Sequence, residues 1–193
     1  NLEDEVVYTD EQLNFILHHY GKANSERGIK GYCIDNEPAL WPSTHPRIHP
    51  EQTTAEEVIR KNIEVGAMIK GMDPTAVVFG GVLYGFYEFS EMQGSKDWME
   101  TYRFSYPNFG AMYLDAMRKA EAEYGKRLID TFDYHMYSES RGTNASGKSV
   151  RIVLENSEGQ GDPKVAYTRM QAPRSFWDPT YIENSWIAQN NIK

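Results

Sequence analysis

Residues 31–42 read GYCIDNEPALWP, and the interpretation of the whole sequence starts from this stretch. A short apolar run, residues 32–34, leads directly into the polar run 35–37, and Pro38 follows. A strand that ends in two carboxylates and an amide, with a proline fixing the next backbone angle, is an unusual entry to a surface turn. The pattern therefore predicts a buried strand whose carboxyl end holds polar side chains in place.

Two further segments are predicted strands. Residues 76–79 read AVVF and continue into GGVLYGFYEF, a glycine- and aromatic-rich segment that we predict to be a loop. A continuous apolar run such as AVVF is typical of a strand that is covered on both faces, as in a parallel sheet. Residues 127–135 read RLIDTFDYH and form a third predicted strand.

Amphipathic patterns predict helices between these strands. We expect helices over residues 9–20, about 53–71 and about 108–124, and a shorter last helix over 178–189. The polar, glycine-rich stretch 138–163 is predicted to be a loop. Helix and strand thus alternate three times, and this order indicates parallel strands joined by helical crossovers.

Polar and aromatic residues collect at the predicted carboxyl ends of the three strands, at 35–37, 84–87 and 135–137. (β/α)₈ barrels carry their active sites at this end of their strands, and a full barrel needs ~250 residues. The chain has 193 residues and three predicted strands. No phosphate-binding GxGxxG or GxxxxGK[ST] pattern follows any of them. The sequence therefore predicts an α/β protein that is part of a TIM (β/α)₈ barrel.

Composition narrows the choice of partners. The net charge is −8 and there is no basic tract, so nucleic acid and anionic membrane are poor partners. No apolar run approaches the ~20 residues that span a bilayer. Aromatic residues make up 13% of the chain, and their flat faces pack on sugar rings as well as in cores. Cys33, the only cysteine, lies in an apolar run and is predicted to be a small buried hydrophobe, not a nucleophile.

Glu37 is the candidate catalytic residue. A glutamate held at the carboxyl end of a strand can act as a general acid, and Asn36 beside it can donate to a sugar hydroxyl. Glycoside hydrolysis needs such an acid and a second carboxylate, ~5–5.5 Å away for retention of configuration or ~6.5–9.5 Å for inversion. The alternative interpretation of residues 35–38 is an Asx-type turn or a helix N-cap without chemistry. The pattern alone leaves both open.

Four ordered segments resemble glycoside hydrolase family 44, the endoglucanases and xyloglucanases. They read DNEPALWPSTHPRIHP from residue 35, FGGVLYGFYEF from 79, FDYHMYSES from 132 and RMQAPRSFWDPTYIENSWIAQ from 169. Asn-Glu-Pro after an apolar strand is the acid/base signature of the clan of retaining (β/α)₈ glycosidases, where it closes the fourth strand. The resemblance covers residues from about 7 to 189.

The resemblance implies a role for each site residue. Glu37 would be the general acid/base, and Asn36 would contact the sugar 2-hydroxyl. His135 and Tyr137 would lie at the end of the sixth strand, facing the cleft. Two positions depart from the pattern, because Met136 stands where a Trp is expected and Gly81 where a Pro is expected. The predicted substrate-binding residues are Asn36, Trp41, Tyr84, His135 and Tyr137.

By the same resemblance, the nucleophile lies outside this sequence. It is a glutamate in a Thr-Glu-Tyr type segment at the end of the seventh strand, beyond the WDPTY segment at 177–181. Glu155, which ends the apolar run RIVLE, is a substitute candidate, but it precedes that segment and also fits an exposed loop hairpin. We expect residues 1–193 to be a single segment of a catalytic barrel, about strands 4 to 6 with flanking helices, without the first strands and the nucleophile strand.

The expected parent protein is a secreted, retaining endo-β-1,4-glucanase that acts on cellulose-type or xyloglucan-type chains and requires no cofactor. The competing class is a non-catalytic carbohydrate-binding or structural barrel fragment. Since the resemblance leaves this segment without a nucleophile, the isolated chain is expected to be inactive. It is also expected to self-associate or to be held by the missing barrel segments, because a partial sheet has open edges.

Metal sites are not expected in the catalytic centre. His45 and His49 are four residues apart, but a proline follows each of them and forbids the helix that would align both on a zinc ion. Glu139 and the acidic loop 155–162 could hold a structural Ca²⁺, because this ion prefers oxygen-rich loops.

Overall fold

The computed structural model describes residues 5–153 and 161–189. The chain divides into two compact units, Asn1–Met136 and Tyr137–Lys193. The first unit contains a three-stranded parallel sheet with helices, and the second contains a two-stranded antiparallel sheet with shorter helices. Within the described ranges, no helix is long and apolar enough to cross a membrane.

The sheet of the first unit confirms the three predicted strands and the α/β class. The order is β1-β2-β3 and both pairs are parallel. Tyr32 lies opposite Val78 in the first pair, and Phe79 lies opposite Thr131 in the second. Their carboxyl ends therefore meet at one edge of the sheet. The strands are β1 (Gly31–Cys33), β2 (Val77–Leu83) and β3 (Thr131–Tyr134).

The three long predicted helices are confirmed, and side-chain caps set the starts of two of them. Thr54 accepts a hydrogen bond from the Glu57 N–H, and Asn108 accepts one from the Ala111 N–H, so each satisfies a free donor of the first helical turn. The α-helices of this unit are α1 (Thr9–Tyr20), α2 (Trp41–Thr44), α3 (Ala55–Met72), α4 (Phe86–Glu91), α5 (Lys96–Glu100) and α6 (Phe109–Tyr124).

Two clusters of buried apolar side chains form the core of the first unit. β2 contributes Leu83 to the first cluster, with Val58 of α3 and Phe109 of α6. It contributes Val78 to the second cluster, with Leu13 of α1. The central strand therefore packs into both clusters, and it provides a rigid support for the loops that follow all three strands.

A bulge near the end of β2 accounts for the glycine pair in the sequence. The register shifts between Gly81 and Leu83, where Gly81 has φ +82° and Val82 has φ +51°. The Gly81 N–H donates to Asn62 Oδ1 over 2.9 Å. A proline at position 81 could neither reach this φ nor make this hydrogen bond. Gly80 also has no room for a side chain, since a Cβ there would lie 2.5 Å from the Tyr113 hydroxyl.

An ion pair fixes the opposite end of the same sheet. Lys70 Nζ on α3 lies 2.6 Å from Asp130 Oδ2 and donates to the Ala76 carbonyl over 2.6 Å. The same Asp130 oxygen accepts the Val78 N–H over 2.8 Å. The Lys70 side chain is only 9% exposed. This contact ties α3 to the starts of β2 and β3.

Two expectations for the first unit are wrong. The segment that follows residue 79 is not a loop, because β2 continues to Leu83 and α4 occupies Phe86–Glu91. The glycines mark a bulge and close packing inside the strand, which the sequence does not distinguish from a loop. Cys33 is exposed, not buried. It ends β1, which pairs with β2 alone among the described strands.

The second unit corrects the predictions for the last third of the chain. The predicted loop 138–163 contains an antiparallel hairpin, and the predicted helix 178–189 is helical only at its end. The helix over 163–171 was not predicted, although Asp162 caps it and a proline occupies its first turn. The elements are β4 (Arg141–Thr143), β5 (Ser149–Arg151), α7 (Pro163–Gln171) and α8 (Trp186–Gln189).

Side-chain hydrogen bonds form the turn of this hairpin. Asn144 Oδ1 accepts the Ser146 hydroxyl over 2.7 Å and the Lys148 N–H over 2.8 Å. A small core of Val150, Ile152, Val165 and Ala172 packs beneath it. The hairpin is therefore formed by polar local bonds and little apolar burial, which explains why its sequence is typical of a loop. Glu155 lies outside the described residues.

Candidate active site

The backbone of Glu37 is held in an uncommon conformation. Its φ and ψ are 52° and 59°, in the left-handed region. Pro38 disfavours the right-handed helical region for the residue before it, and it starts a single 3₁₀ turn over Pro38–Leu40. The Glu37 N–H donates to the Val82 carbonyl of β2 over 2.8 Å. The direction of the glutamate side chain is thus fixed by its backbone, as strained positions in binding sites often are.

His135 contacts the same carboxylate from the segment after β3, on the other side of β2. It follows β3, and its N–H donates to the Leu83 carbonyl over 2.7 Å. Its ring Nδ1 lies 2.8 Å from Glu37 Oε1. Ionised Glu37 only accepts hydrogen bonds, so Nδ1 carries the hydrogen in that state. The side chains of Glu37 and His135 are 21% and 26% exposed, so both remain open to solvent.

The two oxygens of Glu37 are in different situations. Oε1 is engaged by His135, whereas Oε2 has no hydrogen-bond partner among residues 5–153 and 161–189. A carboxyl group that is oriented through one oxygen and free at the other can give a proton to a bound molecule and later take one back.

Glu88 of α4 completes the site, and sequence reasoning missed it. Its side chain is fully buried. Oε1 accepts the Ala39 N–H over 2.9 Å, and Oε2 accepts the Tyr84 N–H over 2.6 Å. The only signal in the sequence is an acidic residue inside the aromatic run FYEF.

Burial and, to a smaller extent, the charge of Glu37 raise the pKa of Glu88, and the net value is about 7. The hydrogen bonds from Tyr84 and Ala39 and the nearby His135 lower it in part. An acidic group with a pKa near neutrality, close to a candidate acid, is typical of functional sites, although structural networks produce such shifts too. The geometry of Glu88 therefore decides its interpretation.

Asn36 and Tyr84 lie at the ends of β1 and β2, as predicted. Asn36 is exposed, and its N–H donates to Asp35 Oδ1 over 2.7 Å, a contact to the next residue and not the two-residue Asx turn of the alternative interpretation. The Tyr84 ring packs against the larger core cluster, and its hydroxyl donates to Gln93.

Trp41 is more buried than a surface platform for a sugar would be. It is 7% exposed, its ring lies 5.3 Å from the His49 ring, and Lys61 Nζ lies 5.0 Å from its centre. The ring borders a pocket of about 190 Å³. Tyr137 belongs to the second unit and is exposed. The pocket is lined by Asp35, Trp41, His45, Ile48, His49 and Lys61.

The described residues contain no group of three or more His, Cys, Asp or Glu side chains that could hold a metal ion. His49 Nε2 contacts the Glu57 carboxylate at 3.0 Å, and His45 Nδ1 contacts the Thr44 hydroxyl. Glu139 pairs with Arg151. Most of the acidic loop that was considered for Ca²⁺, residues 154–160, lies outside the described ranges.

Comparison with known proteins gives one consistent family. The model of glycoside hydrolase family 44 matches residues 1–140. Beta-mannanase/endoglucanase A of Caldicellulosiruptor saccharolyticus is 44% identical over 98% of this chain and 14% of its own length. The solved endoglucanase Cel44A of Clostridium thermocellum is 46% identical with a TM-score of 0.88, over 97% of this chain and 35% of that one.

A family 44 xyloglucanase of Paenibacillus polymyxa, solved with xyloglucan, is 44% identical with a TM-score of 0.86. The match covers 98% of this chain and 35% of that one. The chain thus spans about a third of these solved structures and a seventh of the curated relative. The family model, the sequence identities and the structural matches agree: this chain belongs to glycoside hydrolase family 44.

Proposed function

We propose that this chain is part of the catalytic barrel of a retaining endo-β-1,4-glucanase, with Glu37 as the general acid/base. One observation carries the proposal: the Glu37 carboxyl is oriented through Oε1 by His135, while Oε2 is free of partners among the described residues. The names of the relatives support the activity class, since they include endoglucanases and a xyloglucanase.

In this mechanism, Glu37 first gives its proton to the glycosidic oxygen as the bond to the anomeric carbon breaks. A second carboxylate attacks that carbon from the opposite face and forms a glycosyl-enzyme intermediate. Glu37, now ionised, takes a proton from water, and the resulting hydroxide displaces the enzyme carboxylate. Two carboxylates and water are sufficient for this reaction, so no cofactor is required.

We assign β1, β2 and β3 to strands 4, 5 and 6 of the (β/α)₈ barrel. Their parallel order and the polar residues at their carboxyl ends support this assignment. The nucleophile and the other strands then come from parts of the enzyme outside these 193 residues. Phe86, Phe89 and Phe132 line an open pocket beside β3, and an apolar surface of this kind is suited to cover by further barrel elements.

Asn36 is the strongest of the substrate-binding candidates. It is exposed and directly precedes Glu37, so its amide is within reach of a sugar bound at the acid. We propose that His135 holds the acid and borders the sugar, and that Tyr84 and Trp41 contribute to the same cleft. Tyr137 remains a predicted substrate-binding residue. The substrate is a β-1,4-glucan of the cellulose or xyloglucan type, and a polymer of this size implies an enzyme that is secreted.

The test compares the complete domain that carries this segment with its Glu37→Gln variant. Reducing-sugar release from carboxymethylcellulose and from xyloglucan should fall by about 10²–10⁴-fold, the range typical of general acid–base catalysis. Glu91→Gln is the matched control, because Glu91 is exposed on α4. Full activity of Glu37→Gln would refute the assignment, and a wild-type domain that binds glucan without turnover would favour the non-catalytic alternative.

Azide provides a second and independent readout. It should restore turnover of an activated aryl cellobioside by Glu37→Ala and form a β-glycosyl azide, because azide needs no general base.

A polypeptide limited to these 193 residues should release no sugar, since protonation alone does not form the glycosyl-enzyme. It should also elute as an oligomer, because β3 has a single paired neighbour among the described strands.

A further inference from the structure

Glu88 connects the two segments that hold the candidate acid and its partner. Ala39, which donates to Oε1, lies two residues after Glu37. Tyr84, which donates to Oε2, directly follows Leu83, whose carbonyl accepts the His135 N–H. One buried carboxylate is thus bonded to the turn after β1 and to the end of β2.

We propose that Glu88 is a positioning residue that sets the geometry of Glu37 against His135. This inference rests on the proposed function, in which Glu37 is the acid/base. Glu88 touches neither the substrate nor the reacting atoms in this scheme. It acts through the backbone, by fixing the turn that directs the Glu37 side chain and the strand end that carries His135.

The chemistry of the group favours this role over simple satisfaction of two backbone donors. Burying a carboxylate is costly, and a buried N–H can be satisfied more cheaply by a hydroxyl, an amide or a water molecule. In its ionised form, however, the carboxylate accepts on both oxygens in one plane, and such charge-assisted bonds are shorter and stronger than neutral ones. It therefore fixes the distance between two backbone segments that are far apart in the chain.

The location of the Glu88 side chain also supports a positioning role. Glu88 lies near Glu37 of the turn after β1 and near His135 of the segment after β3, the two groups whose charges act on it. A displacement of ~1 Å in a catalytic group can cost about 100-fold in rate. Loosening the Ala39 and Tyr84 bonds should therefore affect catalysis more than substrate binding.

The experiment uses the complete catalytic domain with Glu88→Gln and Glu88→Asp, and Glu91→Gln as the matched control on the same helix. The Glu88→Gln change keeps the shape of the side chain but replaces one acceptor with a donor, so one backbone bond is lost. We expect kcat to fall about 10–100-fold, with KM changed less than about 3-fold. The pH–rate profile should also shift, because the environment of Glu37 and His135 changes.

A readout independent of hydrolysis separates this inference from the proposed function. In Glu88→Gln, amide hydrogen exchange should accelerate at the Ala39 and Tyr84 N–H groups, and the His135 ring NMR signals should shift. Glu91→Gln should change neither. If the wild-type domain does not hydrolyse glucan, the proposed function is wrong, and these measurements still decide whether Glu88 holds the Glu37–His135 contact.

Two results would overturn the inference. One is a Glu88→Gln variant with the kcat and pH–rate profile of Glu91→Gln. The other is a loss of kcat that only matches the loss of folded protein, measured by near-UV circular dichroism, since this would indicate a purely structural role. If Glu88→Gln does not fold, the milder Glu88→Asp variant must show the same split between kcat and KM, and its absence there rejects the proposal.

Discussion

Glu37 Oε1 and His135 Nδ1 lie 2.8 Å apart, although the two residues are separated by 98 positions and follow strands that do not pair with each other. β2 lies between them and holds both. The carbonyl of Val82 accepts the Glu37 N–H, and the next carbonyl, that of Leu83, accepts the His135 N–H. Successive carbonyls of a strand point to opposite edges. The Val82 carbonyl therefore bonds the segment after β1, and the Leu83 carbonyl bonds the segment after β3.

We expect His135→Ala to lower kcat of the complete domain by about 10-fold or more, because the Glu37 carboxyl loses the contact that orients it. The pH–rate profile should change as well, since an imidazole next to the acid is removed. KM should change less than kcat. Steady-state kinetics on xyloglucan between pH 4 and 9 measure all three.

His18→Ala is the control for this prediction, because His18 is exposed on α1 and lies in no segment assigned to the site. It should leave both kcat and the profile unchanged. An unaltered profile in His135→Ala would contradict the role assigned to the Glu37–His135 contact.

The parallel sheet and the position of Glu37 could be predicted, because both depend on local sequence. The apolar runs near 31–34 and 76–79 and the segment 128–135 indicate strands, and parallel strands place their carboxyl ends at one edge. The long helices carry caps such as Thr54 and Asn108 at the expected positions. For Glu37 and His135, the sequence predicted only that both lie at the same edge of the sheet. It did not predict their contact, because a sequence gives no side-chain distances.

The remaining features depend on long-range contacts or backbone angles that the sequence does not specify. Glu88 is acidic within an aromatic run, and its burial depends on backbone donors 4 and 49 positions away. The bulge at Gly81 prevents the end of β2 from being recognised in the sequence, because glycine is as typical of loops as of bulges. The hairpin of the second unit buries little apolar surface and therefore has the composition of a loop.

The stability of the folded chain should decrease as the pH rises through neutrality, because of Glu88. Burial raises its pKa to about 7, above the 4.5 of an exposed glutamate. The folded state thus binds this proton more tightly than the unfolded state, so the stabilisation is complete below about pH 4.5 and lost above about pH 7. At about 1.4 kcal/mol per pKa unit, the loss is on the order of 3 kcal/mol.

Urea unfolding at pH 4.5, 6 and 8 tests this dependence. Glu88→Gln removes the titrating group, so the difference in unfolding free energy between wild type and variant should shrink as the pH rises. Glu91→Gln should follow the wild type, because Glu91 is exposed. A constant difference across this range would mean that Glu88 does not change its protonation state on unfolding.

Gly81→Ala should destabilise the chain by more than Gly147→Ala does. Both glycines have φ +82°, so alanine suffers the same backbone strain at each, about 1–2 kcal/mol. A Cβ at position 81 would lie 2.8 Å from the Phe132 ring, whereas one at position 147 meets nothing within 4 Å. We expect an additional cost of about 1–3 kcal/mol at Gly81, the usual range for overpacking. Equal losses in urea unfolding would show that Phe132 moves aside freely.

Lys70→Met should destabilise the chain without affecting catalysis in the complete domain. Lys70 lies at the amino ends of the strands, and its loss leaves Asp130 bonded to the Val78 N–H but without its cation. Breaking a buried pair costs about 3–5 kcal/mol, and since Asp130 is 24% exposed we expect about 2 kcal/mol.

A double-mutant cycle with Asp130→Asn should give a coupling larger than that of the exposed Arg60–Glu64 pair, for which we expect less than about 1 kcal/mol. In the proposed barrel, Lys70 lies at the end that supports stability and the other end carries the chemistry, so kcat and KM should remain at wild-type values while the protein is folded. A lower kcat in fully folded Lys70→Met would show that the two ends of the sheet are coupled.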